Sequence, residues 1–241
     1  MASEKNLNAV FSDIANSIRS KQGTTDAIQP INMASEIDSI ETGSIDTRFK
    51  EIVEGTITSI DDSTITTVKQ YAFYMTESLV SVNLPNATLI DQYAFYHCTN
   101  LATVNIPNAT RVTSYAFRLT KITNIVLPNV GELEREVFAY CRSLATIDCH
   151  KLTSIEYRAL IGCSALKSLI IRTMDTIPPL NSSAFSECYH FYGTTNDTYN
   201  PSGAKDGAIY VPDDKVESLK TETNWSVFAD IIKPLSEYVE E

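Results

Sequence analysis

Between residues 71 and 186 the chain repeats one order of apolar and polar positions, with a period of 21 to 22 residues until the last copy. Large apolar side chains stand at Phe73, Phe95, Phe117, Phe138, Leu160 and Phe185. All but the last are followed five or six positions later by Leu79, Leu101, Ile122, Leu144 or Leu166. After this second anchor the pattern alternates: Leu79, Val82 and Leu84 are apolar while Ser81 and Asn83 are polar. A period of two predicts a short strand with one face in water. Pro85, Pro107 and Pro128 close three of these strands. Proline has no N–H to donate and a fixed φ, so it belongs where the chain leaves the sheet, and the Asn after it suits the corner. Self-similarity of this kind predicts a solenoid of the α/β class, with one short parallel strand per coil and about 4.8 Å between coils.

The same reading divides the chain into three parts. Residues 1–43 form a helical module: Leu7, Val10, Phe11, Ile14 and Ile18 fall on one helical face, with Ser3 as cap and Gly23 as terminator, and Met33, Ile37 and Ile40 make a shorter second stripe. A single amphipathic helix of this length is marginal alone, so its apolar face is expected to meet the second helix, the solenoid or another chain. Residues 44–188 carry the solenoid, opening on an incomplete coil in EIVEGTITSIDDSTITTV, residues 51–68. Residues 189–241 supply an inserted polar loop and a strand-helix cap, with a strand stopped by Pro212, a helix capped by Asp213 or Asp214, and an apolar segment through Trp225, Phe228 and Ile232. Such a cap covers the open end of a stack.

Charge narrows the partners. Thirty acidic against nineteen basic side chains give a net charge of -11, which argues against nucleic acid and anionic lipid. No apolar run approaches the roughly 20 residues of a membrane span, and the first residues lack a basic start followed by an apolar core, so neither membrane insertion nor export is expected. The five cysteines form no CxxC pair. Four of them, Cys98, Cys141, Cys163 and Cys188, recur three residues past an anchor, where a small residue fills each coil; free thiols are expected and no metal site. His97, His150 and His190 are not arranged with a nucleophile, Glu132, Glu134 and Glu136 read as a solvated acidic turn, and no glycine-rich phosphate loop is present. The expectation is a protein without catalytic residues or cofactor. Binding candidates lie in rows instead. Tyr71, Tyr93 and Tyr115 share one repeat position and Tyr74 and Tyr96 another, so they stack along a flank, either covering the coil edge or binding a sugar or protein. On the sheet face, Ser81, Thr103, Asn124, Thr146 and Ser168 form one outward row, with Asn83, Asn105, Val126, Asp148 and Ile170 beside it.

The segments YAFYMTESL, YAFYHCTNL and VFAYCRSL resemble the BspA-like, or Treponema-type, leucine-rich repeats, whose consensus includes an aromatic AF-x-x-C-x-x-L segment. The resemblance is specific over residues 71–171; cysteine is replaced by Thr76 and Thr120 in two coils and Phe by Leu160 in another. It implies a surface-presenting repeat protein. The N-terminal text, a helix followed by KQGTTD and P-x-x-MAxEI, is similar to segments of tail and virion structural proteins from phages of Gram-positive hosts. That second resemblance implies a virion protein of a tail, baseplate or head fibre, assembled in the host cytoplasm, homo-oligomeric, and displaying the solenoid toward a host-surface glycan or protein. The alternative is a BspA-like adhesin at the bacterial cell surface.

Overall fold

The computed structural model describes residues 56–194, 200 and 202–240; the helical module of residues 1–43, with its face of Leu7, Val10, Phe11, Ile14 and Ile18, lies outside them. The alternating segments form a stack of parallel strands. β1 (Ser59–Asp61), β3 (Ser81–Asn83) and β5 (Thr103–Asn105) make one sheet. β7 (Asn124–Leu127), β9 (Thr146–Lys151), β11 (Ser168–Thr173), β12 (Ala208–Val211) and β13 (Ile232–Pro234) make a second. Their register follows the repeat: Ser81 lies beside Ser59 and Thr103, and Ser168 beside Thr146 and Ala208. Ile60, Val82, Ile125, Ile147, Leu169 and Ile209 point inward and are buried.

Five coils, those of β1, β3, β5, β7 and β9, carry two strands rather than the one expected. After the corner come β2 (Thr67–Val68), β4 (Leu89–Ile90), β6 (Arg111–Val112), β8 (Glu132–Leu133) and β10 (Ser154–Ile155), again parallel. Two residues are too few to show an alternation in sequence. Their apolar members, Val68, Ile90, Val112, Leu133 and Ile155, nevertheless face the core. Between the two strands, Asn86, Asn108 and Asn129 donate from Nδ2 to the carbonyls of Ser63, Pro85 and Pro107, one coil back, at 2.8–3.0 Å. The corner asparagine thus ties neighbouring coils together as well as turning the chain. After Cys149 and Ile171, where His150 and Arg172 replace the proline, the strands β9 and β11 extend to six residues, while β1, with Ser63 at the same position, keeps three.

The return segment is built from stacking and from strained backbone. Phe73, Phe95, Phe117 and Phe138 are buried and stack with near-parallel rings, 5.2, 5.3 and 5.6 Å between successive centroids. Fully burying one such ring contributes about 2–3 kcal/mol. Two positions in the segment have positive φ: Tyr71, Tyr93, Tyr115, Glu136 and Arg158 at the first, and Met75, His97, Leu119, Tyr140, Gly162 and Glu187 at the second. The left-handed region costs an L-residue about 1–2 kcal/mol. Here it directs backbone N–H groups at the next coil, with Met75 N donating to Tyr96 O at 2.8 Å and His97 N to Arg118 O at 2.9 Å. Gly162 alone among the second set lacks a side chain, because a Cβ there would sit 2.4 Å from the Tyr140 ring.

The repeated cysteine has a definite task. Cys98, Cys141 and Cys163 donate from Sγ to the carbonyls of Phe73, Phe117 and Phe138 one coil back, at 3.0–3.1 Å, and Cys188 to that of Leu160 at 3.3 Å. Thr120 stands at the same position and donates to Phe117 O at 2.9 Å within its own coil. All five cysteines are free and buried. Burial pushes the Cys98 thiol up to about 12 and the Cys141 thiol up to about 11, and raises Cys149, Cys163 and Cys188 as well. They are therefore protonated at neutral pH, which lets the four repeated thiols donate.

One seam crosses the stack. Between Thr120 and Ile122 the turn is one residue shorter than between Cys98 and Leu101. The pairing of β5 with β7 and of β6 with β8 is lost at that step, so both ladders break together. Val104, the inward residue of β5, is only partly buried, unlike Val82 and Ile60. The Phe117–Phe138 stack crosses the seam, as do the bonds from Tyr115, Phe117 and Leu119 N to Arg135, Val137 and Ala139 O. Glu134 also bridges it, its carboxylate accepting from Ser114 N and Oγ at 2.9 and 3.0 Å and from Arg111 Nε at 3.0 Å.

The closing segment continues the second sheet in parallel and seals the core with aromatics. Trp225 is buried and donates from Nε1 to Pro178 O at 2.8 Å, while Phe185, Phe191 and Phe228 pack around one another. The helices are short: α1 (Tyr189–Tyr192), ended by Gly193 in the left-handed region, and α2 (Val216–Thr221). Neither Asp213 nor Asp214 caps α2. That helix grows out of the 3-10 turn Asp213–Lys215, and Asp213 instead accepts from Ser236 N at 3.1 Å.

Candidate binding surfaces

The tyrosine flank forms two columns. Tyr71, Tyr93 and Tyr115 stack at 5.1 and 4.8 Å with rings within 6° of parallel, and Tyr74 stacks on Tyr96 at 5.1 Å. The columns meet edge to face, Tyr71 with Tyr74 and Tyr93 with Tyr96, each pair at 5.5 Å. Register produces this: residues one repeat apart are one coil apart, so planar rings at the same position must stack. All five are half-buried. Burial and the neighbouring phenols raise the pKa of Tyr74 and Tyr93 above its usual value. Arg118 ends the second column, its guanidinium carbon 5.6 Å from the Tyr96 ring and 5.3 Å from that of Tyr140, with Nη1 donating to Tyr96 Oη at 3.1 Å. Beyond it the flank turns charged. Glu136 occupies the position of Tyr115 and pairs with Arg118 at 3.3 Å, while Arg135 and Arg158 lie 5.0 and 4.9 Å over Tyr157.

The sheet face is divided at the seam. Before it, Asn83 donates to Asp61 Oδ1 at 2.8 Å and Asn105 to Asn83 Oδ1 at 2.7 Å, an amide ladder flanked by Ser81 and Thr103. Asn105, Thr103 and Asn124 are exposed. Beyond it the expected row does not stay open. Asp148 is 5% exposed, held by Arg172 through bonds of 2.6–3.0 Å, and Ile170 is fully buried. Asp148 is therefore a gripped carboxylate rather than part of an accessible binding row, because the chain's own C-terminal turn lies against β11 and β12. The acidic turn is likewise less solvated than its composition implies: Glu132 is exposed, but Glu134 and Glu136 are engaged by Arg111, Ser114 and Arg118.

The histidines are dispersed. His97 Nδ1 lies 3.4 Å from Glu77, His150 Nε2 lies 3.9 Å from Asp148, and buried His190 meets Asp206 at 2.6 Å. Burial alone would raise the Asp206 carboxyl, but hydrogen bonds from His190 and Lys167 outweigh it and hold the group below the usual carboxylate range. Asn200, nearly fully buried, ties the nearby loop by donating to Ala204 O at 2.8 Å and accepting from Ala204 N at 3.2 Å. Among the described residues there is no cluster of three or more His, Cys, Asp and Glu side chains able to hold a metal ion, and no helix long and apolar enough to cross a membrane.

The repeat geometry agrees with sequence comparison, in which a family model for the BspA type leucine rich repeat region, described as six copies, matches residues 12–88 and 66–192. The chain belongs to the BspA-type leucine-rich-repeat family. No curated protein matches this BspA-type chain. Among solved structures it is similar to a leucine-rich repeat protein from Bacteroides ovatus ATCC 8483, at 24% identity and a TM-score of 0.48, over 55% of this chain and 36% of that one. It is also similar to a leucine rich cell surface protein from Faecalibacterium prausnitzii A2-165, at 14% identity and a TM-score of 0.34, over 77% and 61% of the two chains. The BspA-type chain thus spans less than two thirds of either protein. The family match supports the repeat architecture; the virion role expected from residues 1–43 finds no support in the comparisons.

Proposed function

We propose that this BspA-type protein is a non-enzymatic adhesin or protein-interaction module whose partner docks on the tyrosine flank of the coils before the seam. The observation that carries this is the mutual ordering of Tyr71, Tyr74, Tyr93, Tyr96 and Tyr115 by stacking. Tyrosine, methionine and arginine are enriched at interface centres while lysine and glutamate are depleted. This flank has five tyrosines, the exposed Met75 and the terminating Arg118. Because the rings already fix one another, binding them costs little further side-chain entropy. Their faces are consumed by stacking, leaving ring edges and hydroxyls for contact, which favours a protein partner over a sugar stacked on a ring face.

The test is binding of labelled full chain to bacterial and host cell surfaces and to purified virions, by wild type and by Tyr93→Ala/Tyr96→Ala. A tenfold or greater loss with the fold retained supports the flank. Undiminished binding by that variant, together with loss on Asn83→Ala/Asn105→Ala, moves the site to the sheet face and sinks the reading. Location on the bacterial surface favours the adhesin. Incorporation into virions through residues 1–43, with sister chains or other virion proteins as partners, would instead support the phage reading, which rests on the resemblance of that segment.

A further inference from the structure

The coils of β9 and β11 carry His150 and Arg172 at the position that Pro85, Pro107 and Pro128 hold in the coils of β3, β5 and β7. Freed of that stop, β9 and β11 run on to add His150 and Arg172 as outward positions. The result is a shelf on the sheet face formed by Asp148, Ile170 and Arg172, with Tyr210 on the next strand. The chain leaving β13 lies on it. Arg172 Nη2, 2.6 Å from Asp148, also donates to Glu240 at 2.6 Å. The Tyr238 ring stands 5.0 Å from that of Tyr210 and 5.9 Å from the guanidinium carbon. The turn Leu235–Glu237 packs against β11 and β12.

This placement is unlike a cap. A cap covers the open edge of the last coil, whereas these residues lie across the outward face of several. They are also thinly held at the end: Val239 is 78% exposed and the Glu240 side chain 72%. An ion pair so exposed contributes little, and the exit of the tail uncovers a planar guanidinium, an isoleucine and a tyrosine ring side by side. A guanidinium recognises a carboxylate through its fixed fork. The ring beside it accepts an aromatic two residues earlier in an extended chain, since side chains at i and i+2 share a face.

We propose that this shelf is a docking site for an extended aromatic–x–acidic segment of a partner protein, and that residues 238–240 occupy it in cis as a displaceable strap. The site is on a different face from the tyrosine flank and does not depend on the function proposed for it. Tethering gives the strap an effective concentration in the millimolar range, so an outside peptide must either compete with it or find it weakened.

The probe is a fluorescent LSEYVE peptide titrated against the full chain and followed by anisotropy. Tyr238→Ala/Glu240→Gln is expected to bind it at least tenfold more tightly than wild type. Adding Arg172→Lys, which keeps the charge paired with Asp148 but removes the fork, is expected to reverse that gain. Retained circular dichroism and Trp225 fluorescence verify folding of each variant. Equal affinity of wild type and strap variant overturns the proposal, as does indifference to Arg172→Lys. If wild type instead forms a concentration-dependent dimer that Glu240→Gln abolishes, the shelf belongs to the tail of a second copy and the partner-peptide reading fails.

Discussion

The coils on the two sides of the seam share their inward residues and differ in almost everything they show outside. Before it, strands are short, β3 and β5 are ended by proline, the sheet face carries the amide ladder of Asp61, Asn83 and Asn105, and the flank is tyrosine. After it, two strands lengthen, the flank becomes Glu136, Arg135 and Arg158 around Tyr140 and Tyr157, and a strap lies over the sheet. Inward positions are constrained by stacking on the next coil, so every repeat must conserve them. Outward positions touch solvent and are free to diverge. A solenoid can therefore carry two chemically distinct faces on one core, and here a one-residue deletion separates their backbone ladders while the phenylalanine stack keeps the core continuous.

The most severe way to break this comparison is to remove the ring that spans the seam. Phe117→Ala deletes stacking at 5.3 Å on one side and 5.6 Å on the other, and such a truncation costs about 3–5 kcal/mol. With the strand ladders already absent there, urea unfolding followed by Trp225 fluorescence should separate from that followed by far-ultraviolet circular dichroism. Coincident curves would mean that the backbone bonds of Tyr115, Phe117 and Leu119 and the Glu134 bridge hold the two halves together without the ring. Gly162→Ala is the next largest, at about 1–2 kcal/mol for a left-handed residue with a side chain, increased by the clash with the Tyr140 ring. In a Tyr140→Ala background the same substitution should cost less, since Glu187 and His97 carry side chains at the equivalent position. Additivity of the two changes in a double-mutant cycle would refute the clash.

Restoring the missing residue tests the seam from the other direction. Insertion of one asparagine after Lys121 should rejoin the ladders, stabilise the protein by about 1 kcal/mol for each bond regained, and slow amide exchange across Asn124–Leu127. Unchanged exchange there would show that something other than turn length opens the seam. The smallest effect is expected at the loop beyond it. Because the folded Asp206 is held below its ordinary range, its contribution is present above the unfolded value of about 4 and is lost as pH falls through the folded value. Amide exchange of Ala204 and Gly207 should quicken below that pH in wild type, and the pH response should vanish in Asp206→Asn.

Several features were legible because each depends on residues close in sequence. The 21 to 22 residue spacing of Phe73, Phe95, Phe117 and Phe138 gave the stack, and Pro85, Pro107 and Pro128 gave the ends of the strands. The tyrosine columns followed from equal repeat positions. Asp148 reads as an open position in the sequence because Arg172, which binds it, and the segment bearing Glu240, which binds Arg172, are 24 and 92 residues away along the chain, beyond any local pattern. The second strand of the first five coils is not legible in the sequence because two residues leave no periodicity. The seam did leave a trace, the single 21-residue step among those of 22, but the spacing alone does not say which hydrogen bonds it removes.

By itself, then, the sequence determined the coil: its period, its inward anchors, the place of its principal strand and the family to which it belongs, since a core repeated at fixed spacing packs in one way. Only the tertiary structure decided what each anchor leans on. The cysteine thiol finds its acceptor on the previous coil, tyrosine tolerates a left-handed backbone because the next coil receives its N–H, and Asp148 is closed by a tail from the far end of the chain. Each of these is a contact between segments that sequence separates and stacking brings together, so its energy exists only once the coils are in register.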